Sequence, residues 1–119
     1  MFSNSPLRPY AARVSHDISP RELAARMKQP DSPLLVDVRE PSEAALARIE
    51  GALLIPLKTL PQHLDELDKT REIVLCCHHG VRSLMALGFM KRAGFSKLLN
   101  LKGGIDAWSR DVDPKVPHY

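Results

Sequence analysis

The sequence predicts an α/β domain, with a parallel sheet covered by helices on both faces. Two observations predict it. The runs "LLVDV" (34–38), "ALLIPL" (52–57), "REIVLCC" (71–77) and "KLLNL" (97–101) are short, each built on consecutive apolar residues. That is the pattern of strands buried on both sides. Between them lie segments with helical starts, stops or spacing, and alternation of the two element types favours parallel pairing.

From the N-terminus, "SPRELAARM" (19–27) opens with Ser19, Pro20 and Glu22. Ser19 suits the cap, Pro20 the first helical position, and Glu22 completes a capping box. "LLVDV" is the first clear strand. "PSEAALARI" (41–49) reads as about two turns of helix started by Ser42. "ALLIPL" is a second strand ended by Pro56, and "LPQHLDEL" spaces Leu60, Leu64 and Leu67 as a helix does. "REIVLCC" is the most strand-like run of the chain. A helix from about Arg82 to Ala93 follows, with Leu84, Leu87 and Met90 on one stripe and Gly94 as its stop. "KLLNL" is the last strand. "GGIDAWSR" (103–110) turns into a short helix, with Gly103, Gly104 and Trp108 read as turn and core, ahead of the tail "DVDPKVPHY".

At 119 residues the chain suits one domain, taken here as residues 14–119 after an N-terminal arm, 1–13. A composition of 44% hydrophobic and 26% charged residues is globular rather than disordered. Net charge is +3, and the lysines and arginines are scattered, which argues against a nucleic-acid partner. The two cysteines are adjacent, with α-carbons ~3.8 Å apart, short of the usual disulfide span. Free thiols point to a reducing compartment, and the cytoplasm is the expected location. No apolar run approaches the ~18 residues of a membrane helix, so no membrane partner is expected. Ahead of Asp17 the arm has Arg8 and Arg13 but no acid, as transit peptides do, while Pro6 and Pro9 oppose an amphipathic targeting helix.

In sheets of this kind ligands sit at the carboxyl ends of the strands. Two polar clusters fall there: "DVRE" (37–40) and "CCHHGVRS" (76–83). Three chemistries compete for the second cluster. A metal is the first. Cys76, Cys77, His78 and His79 are the right residue types for zinc, but consecutive residues at a strand end point in alternating directions and do not converge on one ion. Metal is therefore set aside, and no cofactor is expected.

Phosphate is the second. Counted from Cys76, the loop reads C-x5-R followed by Ser83 and resembles the protein-phosphatase signature. Counted from Cys77, it reads C-x-x-G-x-R-S, with Gly80, Arg82 and Ser83 in place. A loop that turns its amides inward needs a residue tolerant of positive φ or close approach. The phosphatase pattern wants that glycine three residues after its cysteine, where His79 follows Cys76 but Gly80 follows Cys77. The histidine that phosphatases place before their cysteine is also missing, since Leu75 stands there. Cys77 is thus the expected nucleophile.

The third chemistry comes with a resemblance. "CHHGVRS" resembles the active loop of rhodanese-type sulfurtransferases, and the likeness extends over about residues 16 to 110. "LLVDVRE" is similar to that family's first strand and Asp-x-Arg turn, "IEGALLIPL" to its Gly-Ala…Ile-Pro segment, and "LLNLKGGIDAWS" to its closing Gly-Gly…Trp segment. Two departures lie outside the loop: Ala47, Arg48, Ile49 and Glu50 replace a frequent Gly-His-Ile-Pro, and Leu54 stands where Asn is common.

The resemblance implies a rhodanese-like fold with a five-stranded parallel sheet, and a sulfane sulfur moved from thiosulfate or a persulfide donor to a thiol or protein acceptor through Cys77. It also implies that six-residue loops, here Cys77 to Arg82, serve sulfur, whereas phosphatases and arsenate reductases of this fold use seven. His78, His79, Gly80, Val81, Arg82 and Ser83 would form the cup, with Asp37 and Arg39 in support. Arg82 is expected to close the loop, pairing with Asp37. Ser83 either caps the helix or donates to the sulfur. His78 and His79 either tune donor choice or are simply solvated. Cys76 reads as an apolar filler or as a second thiol that resolves the persulfide. Two rivals stand: a phosphatase or arsenate reductase working from Cys76, and a non-enzymatic sulfur-carrier or adaptor module.

Overall fold

The computed structural model describes residues 16–119. The expected arm, 1–13, lies outside the described residues. Five described strands form one sheet in the order β1-β5-β4-β2-β3, and each neighbouring pair is parallel. They are β1 (Asp17–Ile18), β2 (Leu34–Asp37), β3 (Leu53–Leu54), β4 (Ile73–Cys76) and β5 (Leu98–Leu101). The helices are α1 (Pro20–Arg26), α2 (Pro41–Leu46), α3 (Leu60–His63), α4 (Val81–Arg92) and α5 (Gly104–Asp111), with a 3-10 turn at Leu64–Glu66.

The two-residue side-chain period of a strand divides the core into two layers. Leu35, Val74, Cys76, Leu99 and Leu101 face one layer, closed by Leu23 of α1 and by Ile105 and Trp108 of α5. Val36, Ile73, Leu75 and Leu98 face the other, where Cys77 meets Ala86, Leu87 and Met90 of α4 and Leu60 of α3. Each fully buried Val, Leu, Ile or Met side chain among them contributes roughly 1.5–3 kcal/mol.

Most elements stand where the sequence puts them, and the departures have local causes. Ser19 caps α1, its Oγ accepting the Glu22 amide at 3.1 Å, with Pro20 in the first turn. The cap of α2 is Glu40 rather than Ser42, because Pro41 takes the first helical position and moves the start forward. There the Glu40 amide donates to Glu43 Oε1 at 3.2 Å. The buried residues of α4 are Ser83, Ala86, Leu87 and Met90, while Leu84 is 54% exposed. Leu84 follows Ser83 by one residue, which turns it ~100° off that stripe. "ALLIPL" supplies only the edge strand β3, whose leucines are exposed, and Ile55 beyond it is the buried residue. β1 is too short to give a periodic signal and owes its place to pairing with β5.

Register positions the site. Asp37 lies opposite Cys76, so β2 and β4 end level and release Val38 and Cys77 at the same edge. The Val38 amide donates to the Cys76 carbonyl at 3.0 Å, extending the ladder by one step.

Candidate functional site

Adjacency in the sequence separates the two cysteines in space. Cys76, the last residue of β4, points into the layer under α1 and α5. Cys77 points into the layer under α4. Both are free and about 1% exposed. Burial pushes the Cys76 thiol well above its ordinary range, and the nearby Asp37 carboxylate adds to the effect. Such surroundings disfavour the thiolate, the reactive form of cysteine.

The Cys77 sulfur instead sits at the centre of the following loop. The Gly80 amide donates to Sγ at 3.1 Å, the Ser83 amide donates to it at 3.3 Å, and Ser83 Oγ lies 3.3 Å away. Gly80 has φ of +103°, the left-handed conformation expected of it, and this folds the chain back so that amides face inward. Val81 begins α4 and is 69% exposed, so its side chain leaves the cup. The first turn of α4 thus brings the positive end of a 12-residue helix to the sulfur.

Ser83 does not cap α4, whose N-cap is Gly80. Its hydroxyl donates to Asn100 Oδ1 at 2.5 Å, and Asn100 Nδ2 donates to the Gly80 carbonyl at 3.3 Å. Asn100 therefore braces the cup from β5. The sequence reading missed it, although a lone amide inside "KLLNL" was a signal available to it.

The floor of the loop is tied to α5. The Ile105 amide donates to the Cys77 carbonyl at 2.8 Å and the Asp106 amide to the His78 carbonyl at 3.1 Å. Gly104 makes this approach possible: its φ is +64°, and a Cβ there would fall 2.5 Å from the Cys77 carbonyl oxygen.

The expected Arg82–Asp37 pair does not form. Asp37 is taken by Arg39, which donates from its amide, Nε and Nη2 at 2.7–3.1 Å. Arg39 is fully buried and also reaches the Ala47 carbonyl at 2.7 Å. Burial pulls this guanidinium down, but its bonds to Asp37 and Tyr119 outweigh that and hold it above its ordinary value. Asp37 and Arg39 are thus partners of each other, two residues apart.

Arg82 pairs instead with Glu43 of α2, donating from Nη1 at 2.5 Å and Nη2 at 2.8 Å. The Arg82 bonds, joined by Tyr119, hold the Glu43 carboxyl down at about 2 despite partial burial. In turn Glu43 holds Arg82 above its ordinary value, and the Cys77 sulfur adds to that effect. The sequence reading did not single out Glu43, because nothing local marks a helix glutamate as the partner of an arginine 39 residues away.

The tail "DVDPKVPHY" returns to the site. Val116 is buried in the α1–α5 layer, and Ser109 Oγ donates to its carbonyl. His118 lies 3.0 Å from Asp106 Oδ1 and 3.2 Å from Ser109 Oγ. The Tyr119 ring stacks on His78, with centroids 3.9 Å apart and planes 8° off parallel. His79, exposed, stacks on His78 at 3.9 Å and 27°. Burial, then the neighbouring His79, push His78 below the usual histidine range.

Among the described residues, His78, His79 and Asp106 place candidate metal-ligand atoms within 4.8 Å of one another. The two rings stack, however, which sets their in-plane lone pairs side by side instead of aiming them at one point. Asp106 is also already bonded to His118 and Arg110. Asp106 is thus engaged by the tail and by its own helix.

Among the described residues no helix is long and apolar enough to cross a membrane. The family model of the rhodanese-like domain matches residues 19–111. A sulfurtransferase of Allochromatium vinosum is 37% identical over 101 residues, covering 85% of this chain and 94% of its own. A putative sulfur carrier protein of Bacillus subtilis, YrkF, is 36% identical over 93 residues, covering 78% of this chain and 50% of its own. Several longer curated relatives are matched over about a quarter of their length. Among solved structures, the human single-domain sulfurtransferase TSTD1 superposes with a TM-score of 0.76 at 26% identity, covering 82% of this chain and 97% of that one. With four sequence segments, the parallel sheet and the family match in agreement, the chain belongs to the rhodanese-like domain family of sulfurtransferases.

Proposed function

We propose that the chain moves a sulfane sulfur from thiosulfate or a persulfide donor to a thiophilic acceptor, with Cys77 as the carrier. The Cys77 thiolate attacks the outer sulfur of thiosulfate. The S–S bond breaks, its electron pair leaves with sulfite, and Cys77 becomes a persulfide. An acceptor thiolate or cyanide then attacks the outer sulfur, takes it away and returns the Cys77 thiolate. Neither half-reaction needs a metal or an organic cofactor.

One observation carries the reading: the Gly80 amide of the six-residue loop and the Ser83 amide just beyond it close on the Cys77 sulfur, while Cys76 faces the opposite core layer. Amides aimed at a buried sulfur stabilise negative charge where water does not reach. His78, His79 and Val81 form the rim, Arg82 faces an anionic donor, and Asp37 and Arg39 hold the neighbouring turn. Chemistry on free thiols fits a reducing compartment such as the cytoplasm.

The test is the activity of Cys76→Ser and Cys77→Ser, each on thiosulfate with cyanide and on an aryl phosphate. Thiosulfate turnover lost only in Cys77→Ser is the expected result. Phosphate turnover lost only in Cys76→Ser would establish the phosphatase reading instead.

The likeness to YrkF favours a second reading, a sulfur carrier serving another protein. Turnover with thiosulfate and cyanide orders of magnitude slower than with a protein donor would select it.

A further inference from the structure

We infer that Tyr119 is a positioning residue, its hydroxyl bridging the buried Arg39 to Glu43 and so fixing the direction of Arg82 at the cup. Arg39 Nη1 donates to Tyr119 Oη at 2.8 Å, and Tyr119 Oη donates to Glu43 Oε2 at 2.8 Å. Arg82 grips the same carboxylate with both Nη atoms. Asp37, Arg39, Tyr119, Glu43 and Arg82 thus form one unbroken chain from the end of β2 to the first turn of α4.

The hydroxyl is suited to this place because it both accepts and donates. A carboxylate there would add a charge, and an amine would repel Arg39. The site is also held from several directions. Val116 anchors the tail in the core, His118 holds Asp106, the ring of Tyr119 lies flat on His78, and Arg39 lies 5.5 Å over its centroid. A bidentate pair needs its carboxylate in one orientation; the Glu40 amide holds Oε1 at 3.2 Å, and Tyr119 supplies the matching contact on Oε2.

The inference rests on the reading of Arg82 as the group facing an anionic donor. Its test therefore includes a probe that needs no sulfur transfer. The test is a double-mutant cycle of Tyr119→Phe and Glu43→Gln. Phe keeps the ring on His78 and removes only the bridge. Tyr119→Phe is expected to raise KM for thiosulfate roughly three- to tenfold, with kcat nearly unchanged and the melting temperature close to that of the parent. In the Glu43→Gln background the same change should have no further effect.

The parallel readout is the rate of Cys77 alkylation by anionic iodoacetate relative to neutral iodoacetamide, located by peptide mass. The ratio should fall by a similar factor in Tyr119→Phe, again with no further fall beside Glu43→Gln. Additive effects of the two substitutions, or an unchanged ratio in Tyr119→Phe, would overturn the inference. A parent with no turnover on thiosulfate or on a persulfide donor but a ratio that follows the cycle would instead refute the sulfur-transfer reading and leave the role of Tyr119 standing.

Discussion

Arg82 binds Glu43 through both Nη atoms, at 2.5 and 2.8 Å, and this single pair ties the first turn of α4 to the first turn of α2. The carboxyl ends of β2 and β4 are level in the sheet, so the two helices that follow them start side by side. Fork-on-fork pairing adds direction to charge, which a lysine does not reproduce. Arg82→Lys is expected to lower kcat/KM for thiosulfate by roughly tenfold, equal to ~1.4 kcal/mol, with a small change in melting temperature. Steady-state kinetics across thiosulfate concentrations check this, and parental kcat/KM would refute it.

The same pair sets an acid limit. Glu43 titrates at about 2 in the folded chain against 4.5 ordinarily. A carboxyl depressed on folding adds stability above its unfolded pKa and loses it as pH falls through the folded one. The Glu43 contribution should therefore be complete above about pH 4.5 and fade toward about pH 2. Melting temperatures over that window should fall more steeply in the parent than in Glu43→Gln. Parallel curves would remove the pair from the account.

Asp37 is predicted to be structural. It neutralises Arg39, which is fully buried, and removing one partner of such a pair leaves an uncompensated charge. Asp37→Ala should cost ~3–5 kcal/mol in urea unfolding and loosen the turn that leads to α2. Unchanged stability and activity in that variant would contradict this.

Gly104 carries two constraints at once, a positive φ and close contact with the Cys77 carbonyl. Gly104→Ala must push α5 off the loop, and a loss of roughly 2–4 kcal/mol is expected. Chemical denaturation measures it, and alkylation of Cys77 should quicken as the loop opens. A loss below ~1 kcal/mol would mean that α5 does not set the loop.

The parallel sheet, the left-handed Gly80 and the opposed directions of Cys76 and Cys77 were legible in the sequence, because each follows from local geometry. Period-2 alternation alone sends neighbouring cysteines to different layers. The partners of the loop were not legible. Asp37 was the nearest acid in strand order to Arg82, but Arg39 two residues on has a shorter reach to it. Glu43 acts through a tertiary contact 39 residues away. Tyr119 lies 76 residues from Glu43, in a tail without periodicity, so nothing local announces it. Leu84 was misplaced for a simpler reason: a leucine stripe and a stripe led by Ser83 differ by one residue, and the serine won because its hydroxyl has a buried partner in Asn100.

The central claim is a covalent sulfur on Cys77, and intact mass spectrometry after brief thiosulfate treatment tests it most directly. The account predicts a gain of one sulfur atom per chain, removed by cyanide, retained in Cys76→Ser and absent in Cys77→Ser. An adduct that persists in Cys77→Ser, or that disappears in Cys76→Ser alone, would contradict it.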